Sequence, residues 1–146
     1  TMINKNEELL HAWLRLCTTI SNERITSDMP YNEALICNYL YRTKMMCPDQ
    51  IPTATDLCRF TKMLKSQMNR TLQCMEEKGI ITRKRSEKDR RQIYVVLNEE
   101  CSIYQKQHAK IMKIVDALMA RLGTDNVDQI IPMFKKIADT ADDVLI

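Results

Sequence analysis

Residues 64–75 arrange hydrogen-bonding side chains along one face of a predicted helix. At 100° per residue, the apolar side chains of this segment share one side and the polar side chains occupy the other. Asparagine and glutamine amides can bond an adenine edge at two points, and an arginine guanidinium can do the same for guanine. We therefore predict that this face enters the major groove of DNA, through Lys65, Ser66, Gln67, Asn69, Arg70 and Gln73. The alternative is a helix face that is merely solvated.

A strongly basic stretch, residues 83–91, follows this helix. It contains six basic and two acidic side chains. Its last part, residues 86–91, lies between two β-prone runs, 80–85 and 92–97. Such a pattern predicts a β-hairpin with a charged tip. A basic tip can straddle phosphates or insert an arginine into a narrow minor groove. We predict that the tip contacts DNA through Arg83, Lys84, Arg85, Lys88, Asp89, Arg90 and Arg91.

Asp89 is an acidic residue within this basic stretch. An acid two residues before an arginine can hold the guanidinium by charge-assisted hydrogen bonds. We interpret Arg91 as the inserted residue and Asp89 as the residue that orients it. The alternative is that Asp89 only forms the turn.

The positive charge of the chain is concentrated around these two motifs. The net charge is +3, but residues 61–98 carry +6, residues 1–60 carry −1 and residues 99–146 carry −2. This distribution is typical of a polyanion-binding face on a nearly neutral body. A solvated basic surface is the alternative.

The apolar periodicity predicts a mainly helical chain that positions both motifs. Only two glycines and four prolines occur in 146 residues, which favours long helices. The predicted order is helix, helix, short helix, helix ending at Gly79, β-hairpin, long helix capped by Asn98, and a last helix containing Pro132. We expect Pro132 to kink that helix or to reset its start. Residues 44–50 are predicted to form a loop.

Two helices across a tight turn, followed by a hairpin, predict a winged helix-turn-helix. We treat residues 1–146 as a single domain, with residues 31–98 as the winged helix-turn-helix lobe. Residues 1–30 and 99–146 are predicted to form a helical dimerisation region, because one small core cannot cover their long apolar stripes. The alternative is that these helices fold back on their own domain.

Several motifs between residues 51 and 101 together resemble the MarR family of bacterial regulators. Met75 to Arg83 corresponds to the family's Leu-Glu-x-x-Gly-Leu-(x)-x-Arg run, and Asp89-Arg90-Arg91 corresponds to its Asp-x-Arg wing motif. The resemblance implies a homodimeric winged-helix repressor or activator that binds a near-palindromic double-stranded DNA operator. Lys62 and Leu64 depart from the family pattern, which has a small residue in the turn and a serine or threonine cap.

The resemblance also implies possible effectors. Family members often bind small aromatic ligands, and the candidate residues for such a pocket are Trp13, Tyr39, Tyr41 and Tyr104. The alternative is that these aromatic residues are core. Some members sense oxidants through a cysteine of the first helix, where Cys17 lies in this chain, although not at the usual sensing position.

Other classes of protein find little support in the sequence. The six cysteines form no close pair, so we expect them to be reduced and predict no metal site and no cofactor. No nucleophile triad or phosphate-binding glycine loop indicates an enzyme. No apolar run is long enough to span a membrane, and residues 1–8 do not resemble a signal peptide, so a cytoplasmic protein is expected. A winged module that binds only proteins remains an alternative.

Overall fold

The computed structural model describes residues 4–20 and 29–144. Within these residues the chain forms six helices and one antiparallel hairpin: α1 (Lys5–Ile20), α2 (Tyr31–Met46), α3 (Ala54–Thr61), α4 (Lys65–Glu77), β1 (Ile81–Arg85), β2 (Ile93–Leu97), α5 (Ser102–Leu122) and α6 (Thr124–Val144). The predicted fold class, mainly α with a β-hairpin wing, is confirmed. The predicted dimerisation segment 1–30 includes residues 1–3 and 21–28, which lie outside the described residues.

The chain divides into two compact units, Thr1–His108 and Ala109–Ile146. The core of the first unit lies where α2, α3, α4 and the hairpin meet. α4 contributes Met68, Leu72 and Met75, all fully buried and spaced so that they share one helix face. The other buried apolar residues of this core are Met29, Ile36, Cys37, Leu40, Leu57, Ile80, Ile81, Val95 and Tyr104.

The helix-turn-helix begins with a capping box at α3. The Thr53 hydroxyl accepts a hydrogen bond from the Asp56 backbone N–H at 3.2 Å, and the Asp56 carboxylate accepts one from the Thr53 N–H at 2.9 Å. α3 ends at Lys62, which adopts the left-handed conformation with a φ of 62°. The turn therefore needs a left-handed residue where the sequence has a lysine rather than a glycine.

Gly79 closes α4, as the sequence predicts. Its φ is +77°, and the Ile80 N–H donates to the Met75 carbonyl at 2.9 Å in the bond that ends a Schellman motif. Within the described part of the chain, no atom beyond the two neighbouring residues would lie within 4 Å of a Cβ at position 79. The backbone conformation, rather than a lack of space, is therefore what favours glycine here.

The hairpin is joined to the helix-turn-helix at its base. Arg83 pairs with Val95 in the middle of the ladder, and the Val95 N–H donates to the Pro52 carbonyl at 2.9 Å. The Asn98 amide donates to the Gly79 carbonyl at 2.9 Å, and its oxygen accepts from the Thr82 hydroxyl at 2.8 Å. The base of the wing is thus fixed next to the end of α4.

Three local predictions are corrected by the structure. α2 continues to Met46, so the loop predicted over residues 44–50 begins only at Cys47. Asn98 does not cap the long helix, because its side chain bonds Gly79 and Thr82 and α5 begins at Ser102. Pro132 does not reset the start of α6, because the helix runs from Thr124 through Pro132 to Val144. A kink at Pro132 stays a prediction.

The outer helices carry large apolar side chains that are exposed. On α1 these are Leu9, Leu10, Trp13, Leu14 and Leu16. On α6, in the second unit, they are Ile131, Met133, Phe134, Ile137 and Val144. Among the described helices, none combines the length and the apolar character needed to cross a membrane.

One buried ion pair joins the end of α4 to the start of α2. The Glu33 side chain is only 6% exposed, and the Lys78 ammonium contacts its two carboxylate oxygens at 3.0 and 3.1 Å. Lys78 is the C-cap residue of α4, and Glu33 lies in the first turn of α2. A buried carboxylate is costly without a partner, so this contact constrains where α4 ends.

We predict that Lys78→Met lowers the free energy of unfolding by about 1–3 kcal/mol, because it leaves the buried Glu33 carboxylate without its cation. The double variant Glu33→Gln with Lys78→Met should recover part of this loss. Urea unfolding at one fixed protein concentration measures both, and Lys84→Met on exposed β1 is the matched control. Strictly additive losses in the double variant would show that the pair is not coupled.

Candidate nucleic-acid interface

The outward face of α4 is a row of exposed polar side chains. Because Met68, Leu72 and Met75 point into the core, the opposite face must point to solvent. Five of the six predicted residues are exposed and Gln67 is half-buried; the exposed ones are Lys65, Ser66, Asn69, Arg70 and Gln73. The first turn of α4 contains no acidic residue. This face is therefore shaped and charged to approach a polyanion.

Gln73 has a local partner on the same helix. Its side-chain amide donates to the Glu77 carboxylate at 3.3 Å. This contact is long and exposed, so it holds the amide only weakly. The Gln73 amide therefore stays available to another acceptor or donor.

Arg91 projects from the hairpin tip and is held at its base by Asp89. The Arg91 side chain is 93% exposed. The Asp89 carboxylate accepts hydrogen bonds from the Arg91 backbone N–H at 3.1 Å and from its Nε at 3.4 Å. Asp89 therefore forms the turn and also contacts the guanidinium, so the two interpretations are not exclusive.

The remaining tip residues are organised by Ser86 and Arg85. Ser86 is buried, and its hydroxyl accepts a hydrogen bond from the Asp89 N–H at 3.2 Å. The Arg85 guanidinium donates to the Arg90 carbonyl at 2.7 Å, across the tip. Lys84, Lys88 and Arg90 are exposed. The tip is thus a closed turn with cationic side chains directed to solvent.

Arg83 has a different environment from the other predicted wing residues. Its side chain is only 26% exposed, and its guanidinium donates to the Glu76 carboxylate at 3.0 Å. The Arg83 backbone N–H donates to the second Glu76 oxygen at 3.1 Å. Glu76 thereby joins α4 to β1, and the structure places Arg83 as a brace between the helix and the wing.

Glu76 braces the wing against α4, and the sequence pattern does not single it out. The side-chain and backbone hydrogen bonds from Arg83 lower the pKa of the Glu76 carboxyl. The sequence does place an acidic residue of α4, Glu76, seven residues before Arg83 of β1. That spacing becomes informative only when Gly79 turns the chain back along the helix.

Leu64 was also missed, and the helical wheel assigned it to the wrong face. The wheel groups Leu64 with Met68 and Met75, but its side chain is 73% exposed. Leu64 is the N-cap of α4 and has an extended backbone, with φ −67° and ψ 150°. Its side chain therefore does not follow the 100° progression of the helix.

The four aromatic residues predicted for an effector pocket do not form one cluster. The Tyr41 and Tyr104 rings lie 6.0 Å apart, and both lie against His108. Tyr39 instead stacks on Phe60 at 4.5 Å, beside a cavity of about 440 Å³ that Tyr94 also lines. Trp13 lies on α1 and is half-exposed.

The Tyr104 hydroxyl is a buried polar group in the Tyr41–Tyr104–His108 cluster. It makes no hydrogen bond to any described residue. Burial raises the pKa of Tyr104 well above its usual value, so the hydroxyl stays protonated. A buried hydroxyl of this kind can donate to a small polar ligand or to a water.

The cysteines differ widely in exposure, and none is in a disulfide. Cys17, Cys47 and Cys74 are exposed, and Cys37 is buried in the core. Burial raises the pKa of the Cys37 thiol to about 12, so it stays protonated and unreactive at neutral pH. Cys17 lies on the first helix, as predicted.

Comparison with known proteins gives a family match for the central part of the chain. Residues 27–92 match the MarR family model, which confirms the resemblance seen in the sequence. No curated protein sequence gives a significant match.

Solved structures share the fold at low sequence identity. The PcaV transcriptional regulator of Streptomyces coelicolor, in complex with its natural ligand, is 12% identical with a TM-score of 0.71, over 97% of this chain and 99% of that one. The regulator BldR of Sulfolobus solfataricus is 16% identical with a TM-score of 0.70, over 94% and 99%. The MepR–DNA complex of Staphylococcus aureus is 13% identical with a TM-score of 0.67, over 95% and 98%.

We predict that the Glu76 carboxyl titrates below the usual pKa of a glutamate and that Arg83→Gln returns it toward that value. Side-chain carboxyl NMR during a pH titration measures both. Because the folded pKa is lowered, the contact stabilises the fold above the unfolded pKa, and this contribution is lost as the pH falls through the folded pKa. Arg85→Gln, on the same strand, should leave the Glu76 titration unchanged. An unperturbed Glu76 in the wild type would contradict the brace.

Proposed function

We propose that this chain, whose residues 27–92 match the MarR family model, regulates transcription by binding double-stranded DNA at specific sequences. The observation that carries the proposal is the exposed polar row of α4 beside a basic, braced wing. The solved MepR–DNA complex shows that a protein of this fold has been captured with DNA.

In this proposal α4 is the recognition helix and lies in the major groove. Asn69 and Gln73 carry amides that match an adenine edge, and Arg70 carries a guanidinium that matches guanine. Lys65 and Ser66, at the start of the helix, are suited to phosphates or bases. Gln67 is half-buried and is the least accessible of the six predicted contacts on α4.

The wing makes the second contact, with the backbone or the minor groove. Arg91 has the exposure and the reach for insertion, and Asp89 limits its freedom before DNA arrives. Limiting that freedom reduces the conformational entropy lost on binding. Lys84, Lys88 and Arg90 supply further charge, and Arg85 holds the shape of the tip.

The proposed functional unit is a cytoplasmic bacterial homodimer. In this dimer, residues 31–98 form the DNA-binding lobe, and residues 1–30 and 99–146 form the dimerisation region. The exposed apolar side chains that α1 and α6 each carry support this assignment, because exposed apolar helix faces are typical of subunit interfaces. A two-fold dimer with recognition helices one turn apart would select a near-palindromic operator.

A small aromatic effector is part of the proposal, with repression as the expected mode of action. PcaV, which shares the fold, was solved with its natural ligand. In this chain the buried Tyr104 hydroxyl next to Tyr41 supports a role for these two residues. An effector would act by favouring one arrangement of the DNA-binding lobes over another. Oxidant sensing through the exposed Cys17 is the second candidate for regulation.

We predict that Arg91→Ala weakens binding to the selected operator at least about tenfold, or ~1.4 kcal/mol, without altering thermal unfolding. The operator is first obtained by selecting bound duplexes from a random DNA pool with the wild-type protein. Arg42→Ala is the matched control, because it removes the same charge from an exposed position of α2 in the same unit and Arg42 is not among the predicted DNA contacts.

The selection itself tests the proposed function. Enrichment of an inverted repeat with half-sites about one helical turn apart is the expected result. A pool without enrichment, bound only through a steep salt-dependent attraction, would contradict sequence-specific regulation and favour a non-specific binder. No DNA binding at all would favour the protein-interaction alternative.

A further inference from the structure

Leu64 is an exposed apolar side chain at the edge of the proposed DNA-binding face. With 73% of its surface exposed, it is the most exposed large apolar residue within residues 4–20 and 29–144. It directly precedes Lys65 and Ser66, the first residues of α4. Its carbonyl accepts the hydrogen bond that starts the helix, from the Met68 N–H at 2.8 Å.

A leucine is a poor choice for this position on structural grounds alone. Helix N-caps favour serine, threonine, asparagine or aspartate, whose side chains accept a hydrogen bond from the first turn. Leu64 makes no such bond, so α4 lacks a side-chain N-cap. Leu64 is not among the residues that pack against the core. Its neighbour Met63 packs there instead. A local choice that costs stability without a compensating contact is expected mainly at functional positions.

The position of Leu64 fits an apolar feature of the major groove. The N-terminal residues of a recognition helix contact base edges, and the apolar group exposed on those edges is the C5-methyl of thymine. The side chains that follow Leu64 along this face are polar or cationic: Lys65, Ser66, Asn69 and Arg70. They can bond phosphates and base heteroatoms but offer little apolar surface to a methyl group.

We propose that Leu64 contacts a thymine methyl and makes this chain prefer thymine at one position of each operator half-site. This inference rests on the proposed function, because it needs α4 in the major groove. It adds an apolar specificity contact to a recognition face that otherwise works through hydrogen bonds. Association with DNA then covers the leucine that is exposed in the free protein.

The test pairs a protein change with removal of one methyl group from the DNA. Deoxyuridine replaces each thymine of the selected operator in turn, which removes the C5-methyl and keeps the base pairing. Wild-type binding should weaken about fourfold at one position per half-site, the factor that corresponds to burying one methyl-sized group. Leu64→Ala should bind the thymine and uracil operators equally at that position.

Two variants guard against trivial explanations. Leu64→Ser should fold at least as stably as the wild type, because serine can cap α4, yet it should lose the thymine preference because serine carries no methyl group. Met46→Thr removes another highly exposed apolar side chain, at the end of α2. In this variant, uracil should weaken operator binding as much as it does in the wild type.

The outcomes separate this inference from the proposed function. A selected half-site with a uracil effect that Leu64→Ala abolishes supports the contact. A selected half-site without any such effect, or with the same effect in Leu64→Ala, overturns the role of Leu64 and leaves the proposed function standing. A pool from which no sequence is enriched overturns both.

Discussion

Burial of one face of α4 is the constraint on which the rest of the structure depends. Met68, Leu72 and Met75 are fully buried against α2, α3 and the hairpin. Each such side chain contributes about 1.5–3 kcal/mol when it leaves water, so rotating the helix about its axis would be costly. The polar row through Asn69 and Arg70 therefore points outward because the opposite face is committed to the core. The chemistry of the surface follows from the packing below it.

Two charged contacts then fix α4 relative to its neighbours. Lys78 ties the end of the helix to the buried Glu33 of α2, and Glu76 ties the helix to Arg83 of the wing. Gly79 directly follows Lys78 at the end of α4, and its positive φ turns the chain back toward the wing. Helix and wing are thus held at defined positions, and in the proposed function this would reduce the entropic cost of contacting two grooves of one duplex. The contact between Glu76 and Arg83 fixes the base of the wing and so positions the cationic tip around Arg91. The charge of the tip comes from its own residues.

The sequence predicts those parts that local periodicity and charge determine. The face of α4, the hairpin and the closing role of Gly79 follow from spacing and residue type. The position of Leu64 does not, because a cap residue has an extended backbone and leaves the helical pattern. The bonds of Asn98 to Gly79 and Thr82 and the brace from Glu76 depend on how the wing returns beside α4, and the sequence does not encode that geometry locally. The contact between Asp89 and Arg91 was predictable because it spans only two residues.

The proposed function requires that bound DNA cover the exposed face of α4, and the thiol of Cys74 reports directly on that burial. Cys74 is exposed on α4 next to Gln73, whereas Cys17 is exposed on α1. The measurement is the rate at which a bulky maleimide labels each cysteine, with and without saturating operator duplex. We expect the duplex to slow labelling of Cys74 at least about tenfold and to leave the labelling rate of Cys17 unchanged. Equal labelling of Cys74 with and without bound DNA would contradict the proposed function.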